Sequence, residues 1–398
     1  MSKHANNKRA AIKSRKPTPG VFFKNIGIRL LGNGNGDAAA AYPAIRDLRN
    51  ANLLKAYEEI ANQTGDITSA LYNFFHSDLQ LVKILYGTDF HRIRAIAEGL
   101  QKVKVPSRST ILDVGGGAGH LAFWMADIWK DSTITVADKY LSLGTEWAEQ
   151  LQANRVTFVN ATLPDLTPLQ GQQFNFVVLS RVLTFILQNE LPSFMNSFTL
   201  EEYFNSLEAK GVILELEELL EEVPKVLAPD GCVIVVESWS PTRILLITKA
   251  CEQKGLLVNI DLFSPYDLGI EYSIMVLSRH GSKAPIHDIP LAIAAVFGFG
   301  RDGKKFSGLS AEFIRTLFAT NPPVAVLEYS SEEKGGARNE IFEQCGLMLY
   351  FKTFSTGHRE ATLLPALEIP SFVDMLKGYE IRINEGKKDK IIQKLYPV

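Results

Sequence analysis

Residues 109–123 read Ser109-Thr-Ile-Leu-Asp113-Val-Gly115-Gly-Gly117-Ala-Gly119-His120-Leu-Ala-Phe123. An apolar run ends in the carboxylate of Asp113, spaced glycines follow, and an apolar helical pattern begins at His120. That order predicts a strand, a tight turn and a helix. Glycine has no Cβ, so Gly115, Gly117 and Gly119 let the chain turn sharply and let a ligand approach the main chain. A dinucleotide fingerprint needs G-x-G-x-x-G. Counted from Gly115, the last position is His120; from Gly116, the middle one is Ala118; from Gly117, the last is Ala122, the looser form. A Walker loop also fails, because no Gly-Lys-Ser/Thr follows. Asp113 is a poor neighbour for a pyrophosphate and suits a ligand that carries positive charge.

Thr133-Ile-Thr-Val-Ala-Asp138 reads as a second short strand ending in an acid. Asp138 stands about 20 residues beyond the glycines, where an acid accepts hydrogen bonds from ribose hydroxyls. Any adenosine site can use such an acid, so by itself it does not name the ligand. Val156-Thr-Phe-Val159 and Phe174-Asn-Phe-Val-Val-Leu-Ser180 read as further strands. Leu143, Trp147 and Leu151 recur at helical spacing, and Leu216, Leu219, Leu220, Val223, Val226 and Leu227 form a helical stripe. Asp230-Gly231 then turns the chain into a β-branched run ending at Glu237. Leu245 to Cys251 suits a helix; Leu256 to Leu262 and Tyr272 to Leu277 suit two more strands. Seven strands with helices between them predict an α/β fold with a doubly wound sheet. The loop joining the last two strands is too short for a parallel crossover, so the final strand is expected to be antiparallel.

Residues 107–280 resemble the class I S-adenosylmethionine-dependent methyltransferases. The resemblance covers under half of the chain. It rests on Asp113-Val-Gly-Gly-Gly-Ala-Gly119, similar to that superfamily's first motif in the form common in O-methyltransferases, on the third and fourth strands, and on Val223 to Glu237. It implies a Rossmann-like seven-stranded sheet and S-adenosylmethionine as cofactor. The implied cofactor contacts are Asp113, Gly115, Gly117, Gly119, His120, Asp138, Asn160 and Ser180. Asn160 stands where the family often carries an acid for the adenine amino group. His120 is expected to expose its imidazole near the donor's carboxylate.

Transfer from a sulfonium mainly requires donor and acceptor brought into line. A base is needed only if the acceptor must lose a proton. Glu237, ending the fifth strand, is a candidate base or orienting group, with local satisfaction by backbone as the alternative. Arg181, at the fourth-strand exit, is a candidate for binding an acidic acceptor or for pairing with Asp113. That exit reads Ser180-Arg-Val-Leu, not the Asn/Asp-Pro-Pro-Tyr of enzymes that methylate exocyclic base nitrogens. No Pro-Cys motif is present, and no histidine follows the fourth or fifth strand. Residues 188–212, with Phe194, Phe198, Tyr203 and Phe204, are expected to form an aromatic lid, with Trp239 as a further wall. No metal site is expected.

Four segments organise the 398 residues. Residues 1–36 begin with Lys3, Lys8, Arg9, Lys13, Arg15 and Lys16, contain no acid, and end in Gly32-Asn-Gly-Asn-Gly36, which predicts a flexible basic arm. Residues 37–106 read as a helical cap, with stripes Leu53, Leu54, Tyr57, Ile60 and Leu71, Phe74, Phe75, Leu79, Val82. Within it His76 and His91 either face a substrate or pack. Residues 107–280 are the methyltransferase-like domain. Residues 281–398 are expected to form a small accessory α+β domain, with strands at Val324–Tyr329 and Leu347–Thr353 and helices at Ala311–Phe318 and Asn339–Cys345. The basic run Gly386-Lys-Lys-Asp-Lys390 reads as a solvated face.

A net charge of −2 supplies no global field for nucleic acid or membrane. The three scattered cysteines and the lack of a signal-type apolar core predict a cytoplasmic protein. No apolar run reaches the length of a membrane span. The expected partner is a small-molecule or peptide acceptor methylated at oxygen or nitrogen, with a second copy of the chain as a candidate dimer partner. RNA, gripped by the basic arm, and a non-catalytic binding scaffold are the alternatives.

Overall fold

A computed structural model of the chain describes residues 17–34, 36, 38–63, 67–139, 145–183, 211–238, 241–259, 272–280, 304–307, 311–312, 314–315, 318–319, 321–332, 335–344, 347–386 and 389–396. The first sheet is built from β1 (Thr110–Val114), β2 (Thr133–Ala137), β3 (Val156–Val159), β4 (Phe174–Ser180), β5 (Leu227–Ser238), β6 (Leu257–Val258) and β7 (Tyr272–Ser278). Its order is β3-β2-β1-β4-β5-β7-β6. Strands β1 to β5 pair in parallel, and β7 runs antiparallel between β5 and β6. Both faces are covered, so Ile111 to Val114 are all buried and the strand reads as one apolar run rather than an alternation. The seven-stranded doubly wound sheet with one antiparallel strand is the architecture expected from the sequence. The sixth strand is shorter than expected: only Leu257 and Val258 pair, and residues 260–262 lie outside the described residues.

Helices α1 (Pro19–Asn25), α2 (Ala41–Asp47), α3 (Ala51–Ala61), α4 (Thr68–His76), α5 (Leu79–Thr88) and α6 (Phe90–Leu100) precede the sheet. The flexible arm expected over 1–36 is corrected from Pro19 onward. Phe22 packs edge-on against Phe123 and Trp124, at 5.2 and 5.1 Å between centroids, and Phe23 and Ile28 are fully buried. The basic residues Lys3 to Lys16 lie outside the described residues. The stripe Leu71 to Val82 is split between α4 and α5. Asp78 is the cause: its carboxylate accepts the backbone N–H of Gln80 at 2.7 Å and caps the start of α5.

Helices α7 (His120–Ile128), α8 (Thr145–Ala153), α9 (Val212–Leu220), α10 (Val223–Val226) and α11 (Pro241–Gln253) connect the strands of the first sheet. The second sheet is antiparallel throughout, in the order β13-β9-β10-β11-β12-β8. Its strands are β8 (Lys304–Ser307), β9 (Ala325–Ser331), β10 (Ala337–Gln344), β11 (Leu347–Phe354), β12 (Arg359–Pro365) and β13 (Asp389–Leu395). One face packs under α12 (Ile369–Glu385) through Val373, Leu376 and Ile383. The other face, with Phe342, Leu349 and Phe351, shares one apolar core with Leu216, Leu220, Leu246 and Ile247 of α9 and α11. Of the helix expected over Ala311–Phe318, residues 311, 312, 314, 315 and 318 are described and helical.

The helix expected over Asn339–Cys345 is corrected: residues 339–344 belong to β10, and Cys345 lies outside the described residues. Asn339 and Glu340 resemble a solvated helix face, yet they are buried with dedicated partners. Tyr350 donates its hydroxyl to Asn339 Oδ1 at 2.7 Å, and Asn339 Nδ2 donates to the Leu327 carbonyl at 3.1 Å. Glu340 sits between Arg315, at 3.0 Å, and Arg338, at 3.0 Å. Tertiary pairing overrides local propensity here. Glu340→Ala is expected to cost about 3 kcal/mol in denaturant unfolding, because two arginines lose a buried partner; their partial exposure keeps the loss at the low end of the range.

Candidate functional site: the glycine loop and its two carboxylates

The loop from Gly115 to Gly119 joins β1 to α7 at the carboxyl ends of the parallel strands, the edge where open α/β sheets bind ligands. Its backbone is pinned from both sides. Gly115 N–H donates to the Ala137 carbonyl at 2.7 Å, and Trp147 Nε1 on α8 donates to the Ala118 carbonyl at 2.8 Å. Gly117 has φ of +54°, and its N–H donates to Asp138 Oδ2 at 2.9 Å. A Cβ on Gly116 would stand 2.5 Å from Asp113 Oδ2. Gly116 is therefore as constrained as the three spaced glycines, a requirement that spacing does not reveal.

Two carboxylates flank this loop. Asp113 is completely buried, and neither of its oxygens has a hydrogen-bond partner among the described residues. Burial, and then the charge of Asp138, push its pKa up to about 8. Asp138 is also buried. His120 does not expose its ring, contrary to expectation. It is 1% exposed, stacked on Trp147 at 4.7 Å and edge-on to Tyr86 at 4.9 Å. Neither ring nitrogen has a hydrogen-bond partner among the described residues, and burial, with smaller contributions from Lys83 and His76, pushes its pKa down to about 3.

The structure thus brings together Asp113, Gly115, Gly117, Gly119, His120 and Asp138. Ser180, Arg181 and Glu237 stand along the same edge, at the ends of β4 and β5. The alternative pairing of Arg181 with Asp113 is corrected: Arg181 Nη1 binds Asp89 Oδ2 at 2.8 Å, next to Arg92. Glu237 is buried and lies opposite Ser273 of β7. Asn160 is exposed beyond β3. The lid expected over 188–212 lies outside the described residues up to 210, as does Trp239. Of the two histidines in the cap, His91 stands against Gly34, while His76 and Tyr86 pack onto the loop. A Cβ on Gly117 would lie 2.9 Å from His76 Nε2 and 3.0 Å from the Tyr86 hydroxyl. No sequence pattern marks this meeting, because α4 and α5 reach the loop only through the fold.

A family model described as a methyltransferase domain matches residues 111–200, the stretch that opens with β1 and the glycine loop. The match marks this stretch as a methyltransferase domain. No curated protein matches the chain. Among solved structures, the chain is similar to an O-methyltransferase family protein from Burkholderia thailandensis, with 14% identity, 64% of this chain and 76% of that chain covered, and a TM-score of 0.37. It is also similar to human N-acetylserotonin methyltransferase in complex with the methyl donor, with 15% identity, 61% and 68% covered, and a TM-score of 0.33.

The residues of the methyltransferase loop fit S-adenosylmethionine. Orphaned carboxylate oxygens on Asp113 and a second carboxylate at Asp138 suit a ligand with a positive charge and hydroxyl donors, and they repel a pyrophosphate. The missing side chain of Gly117 lets His76 and Tyr86 close onto the loop. Gly117→Ala is expected to abolish donor binding in a thermal-shift assay, since the new Cβ meets His76 and the backbone conformation disfavours alanine by about 1 kcal/mol. Among the described residues, no cluster of potential metal ligands occurs, and no helix is long and apolar enough to cross a membrane.

Proposed function

We propose that this enzyme methylates a small-molecule or peptide acceptor at oxygen or nitrogen, in the cytoplasm. The observation that carries the reading is the pair of buried carboxylates on the glycine loop, Asp113 with orphaned oxygens and Asp138 bonded to Gly117. When bound, S-adenosylmethionine supplies a methyl group already activated on a sulfonium. Asp113 holds the donor's ammonium, Asp138 accepts from its ribose hydroxyls, and the loop glycines let the ligand lie against the backbone. Ser180 and Asn160 are further donor contacts. Glu237 and Arg181 border the acceptor side, with Arg181 held in place by Asp89. The cap helices exclude water from the loop.

A neutral to slightly acidic chain favours this acceptor class over RNA. The described thiols, Cys232 and Cys251, are free, buried and pushed up to about 11 and about 12 by burial, which supports a reducing compartment. The test is transfer of a labelled methyl group to panels of phenols, carboxylates, amines, peptides and RNA. Labelling of a small molecule or peptide with shallow salt dependence is expected. Labelling confined to RNA, with steep salt dependence, contradicts the reading.

A further inference from the structure

Methylation at an O–H or N–H releases a proton, and neither β4 nor β5 is followed by a histidine to take it. The fold supplies one from the cap. His76 ends α4, buried, with its ring stacked on Tyr72 at 3.9 Å. Its Nδ1 lies 2.9 Å from the Tyr72 carbonyl oxygen. A carbonyl only accepts, so Nδ1 carries the hydrogen, and in the neutral ring Nε2 is the acceptor. That atom is the one nearest the position of a Gly117 Cβ, at 2.9 Å. Burial pushes the ring's pKa down, against smaller upward pulls from the Tyr72 carbonyl and Asp138, which keeps the ring neutral near pH 7.

Three neighbouring groups lack this combination. Burial, and then the charges of Asp138 and Asp113, push the Tyr86 hydroxyl far above its ordinary range. His120 is enclosed between Tyr86 and Trp147. Arg181 is held by Asp89.

We propose that His76 Nε2 takes the proton of the methyl acceptor. This rests on the donor-site reading above. As the acceptor oxygen or nitrogen bonds to the methyl carbon, the carbon–sulfur bond breaks and its electron pair stays on sulfur. The acceptor's proton passes to Nε2, and the nearby Asp138 carboxylate stabilises the resulting imidazolium.

A test that needs no knowledge of the acceptor compares two donor analogues by calorimetry. Sinefungin carries a protonated amine where the donor carries its methylsulfonium; S-adenosylhomocysteine has a neutral thioether there. His76→Leu is expected to weaken sinefungin about tenfold or more and to leave S-adenosylhomocysteine within about twofold. His76→Gln, whose Oε1 also accepts, is expected to recover part of the loss, and it serves as the readout if the leucine variant fails to fold. Equal losses for both ligands, or unchanged sinefungin affinity, overturn the proposal. If the wild-type protein binds neither analogue, the donor-site reading itself falls, and this proposal with it.

Discussion

Asp113→Asn is expected to lower the affinity for S-adenosylmethionine about 100-fold or more, because a buried ammonium then loses its counter-charge. The same substitution is expected to stabilise the donor-free protein at pH 8. Asp113 has an ordinary pKa of 3.8 and is pushed up to about 8 in the fold. Between those values the folded chain holds a proton that the unfolded chain has released. Donor-free stability therefore falls as pH rises from about 4 to about 8, since the unfolded state binds fewer protons. Asparagine removes that decline, so the variant melts higher than wild type at pH 8, by a free energy of about 1–3 kcal/mol. Donor affinity in the wild type runs the other way. Asp113 must release its proton to face a cation, so affinity rises with pH up to about 8 and is flat in the variant. Melting curves with and without donor, taken across this range, check both slopes. A variant that is less stable at pH 8 contradicts the account of Asp113.

Phe23→Ala is expected to destabilise the protein by about 3–5 kcal/mol, the usual cost of emptying a buried phenylalanine site. Phe23 is fully buried beside Trp124, at 6.3 Å between centroids, and Trp124 donates its indole N–H to the Ala97 carbonyl at 3.1 Å. The substitution therefore loosens α1, α6 and α7 together, and α7 begins at the glycine loop. Denaturant unfolding followed by tryptophan fluorescence measures the loss. A change under about 1 kcal/mol would mean that α1 is dispensable surface structure.

The contrast between these two residues explains what the sequence made legible. Asp113 announces itself, because an acid before spaced glycines is a local pattern with a local geometric cause. The strands of the doubly wound sheet are legible for the same reason: apolar runs, turns and helical stripes alternate along β1 to β5. Phe23 was hidden because its neighbours, basic residues on one side and Gly32 to Gly36 on the other, have the composition of a disordered leader. Its partner Trp124 lies about 100 residues away, beyond the reach of any composition-based reading. In β10 the obstacle was different. Asn339 and Glu340 look solvated until Tyr350, Arg315 and Arg338 are brought beside them.

The site divides along the same line. Gly115, Gly117, Gly119 and Asp138 are set by short-range geometry and could be named directly. His120 could be named, but its burial could not, since that depends on Trp147 from α8 and Tyr86 from α5. His76 was one of two histidines in the cap with nothing local to separate them. Only the packing of α4 onto Gly117 singles it out.

The most direct test of the central claim is a calorimetric titration of the full-length protein at pH 8 with S-adenosylmethionine, with NADH as control. The account expects saturable one-site binding of the methyl donor, none of NADH, and loss of the signal in Asp138→Ala. Binding of NADH, or donor binding that Asp138→Ala leaves unchanged, would contradict it.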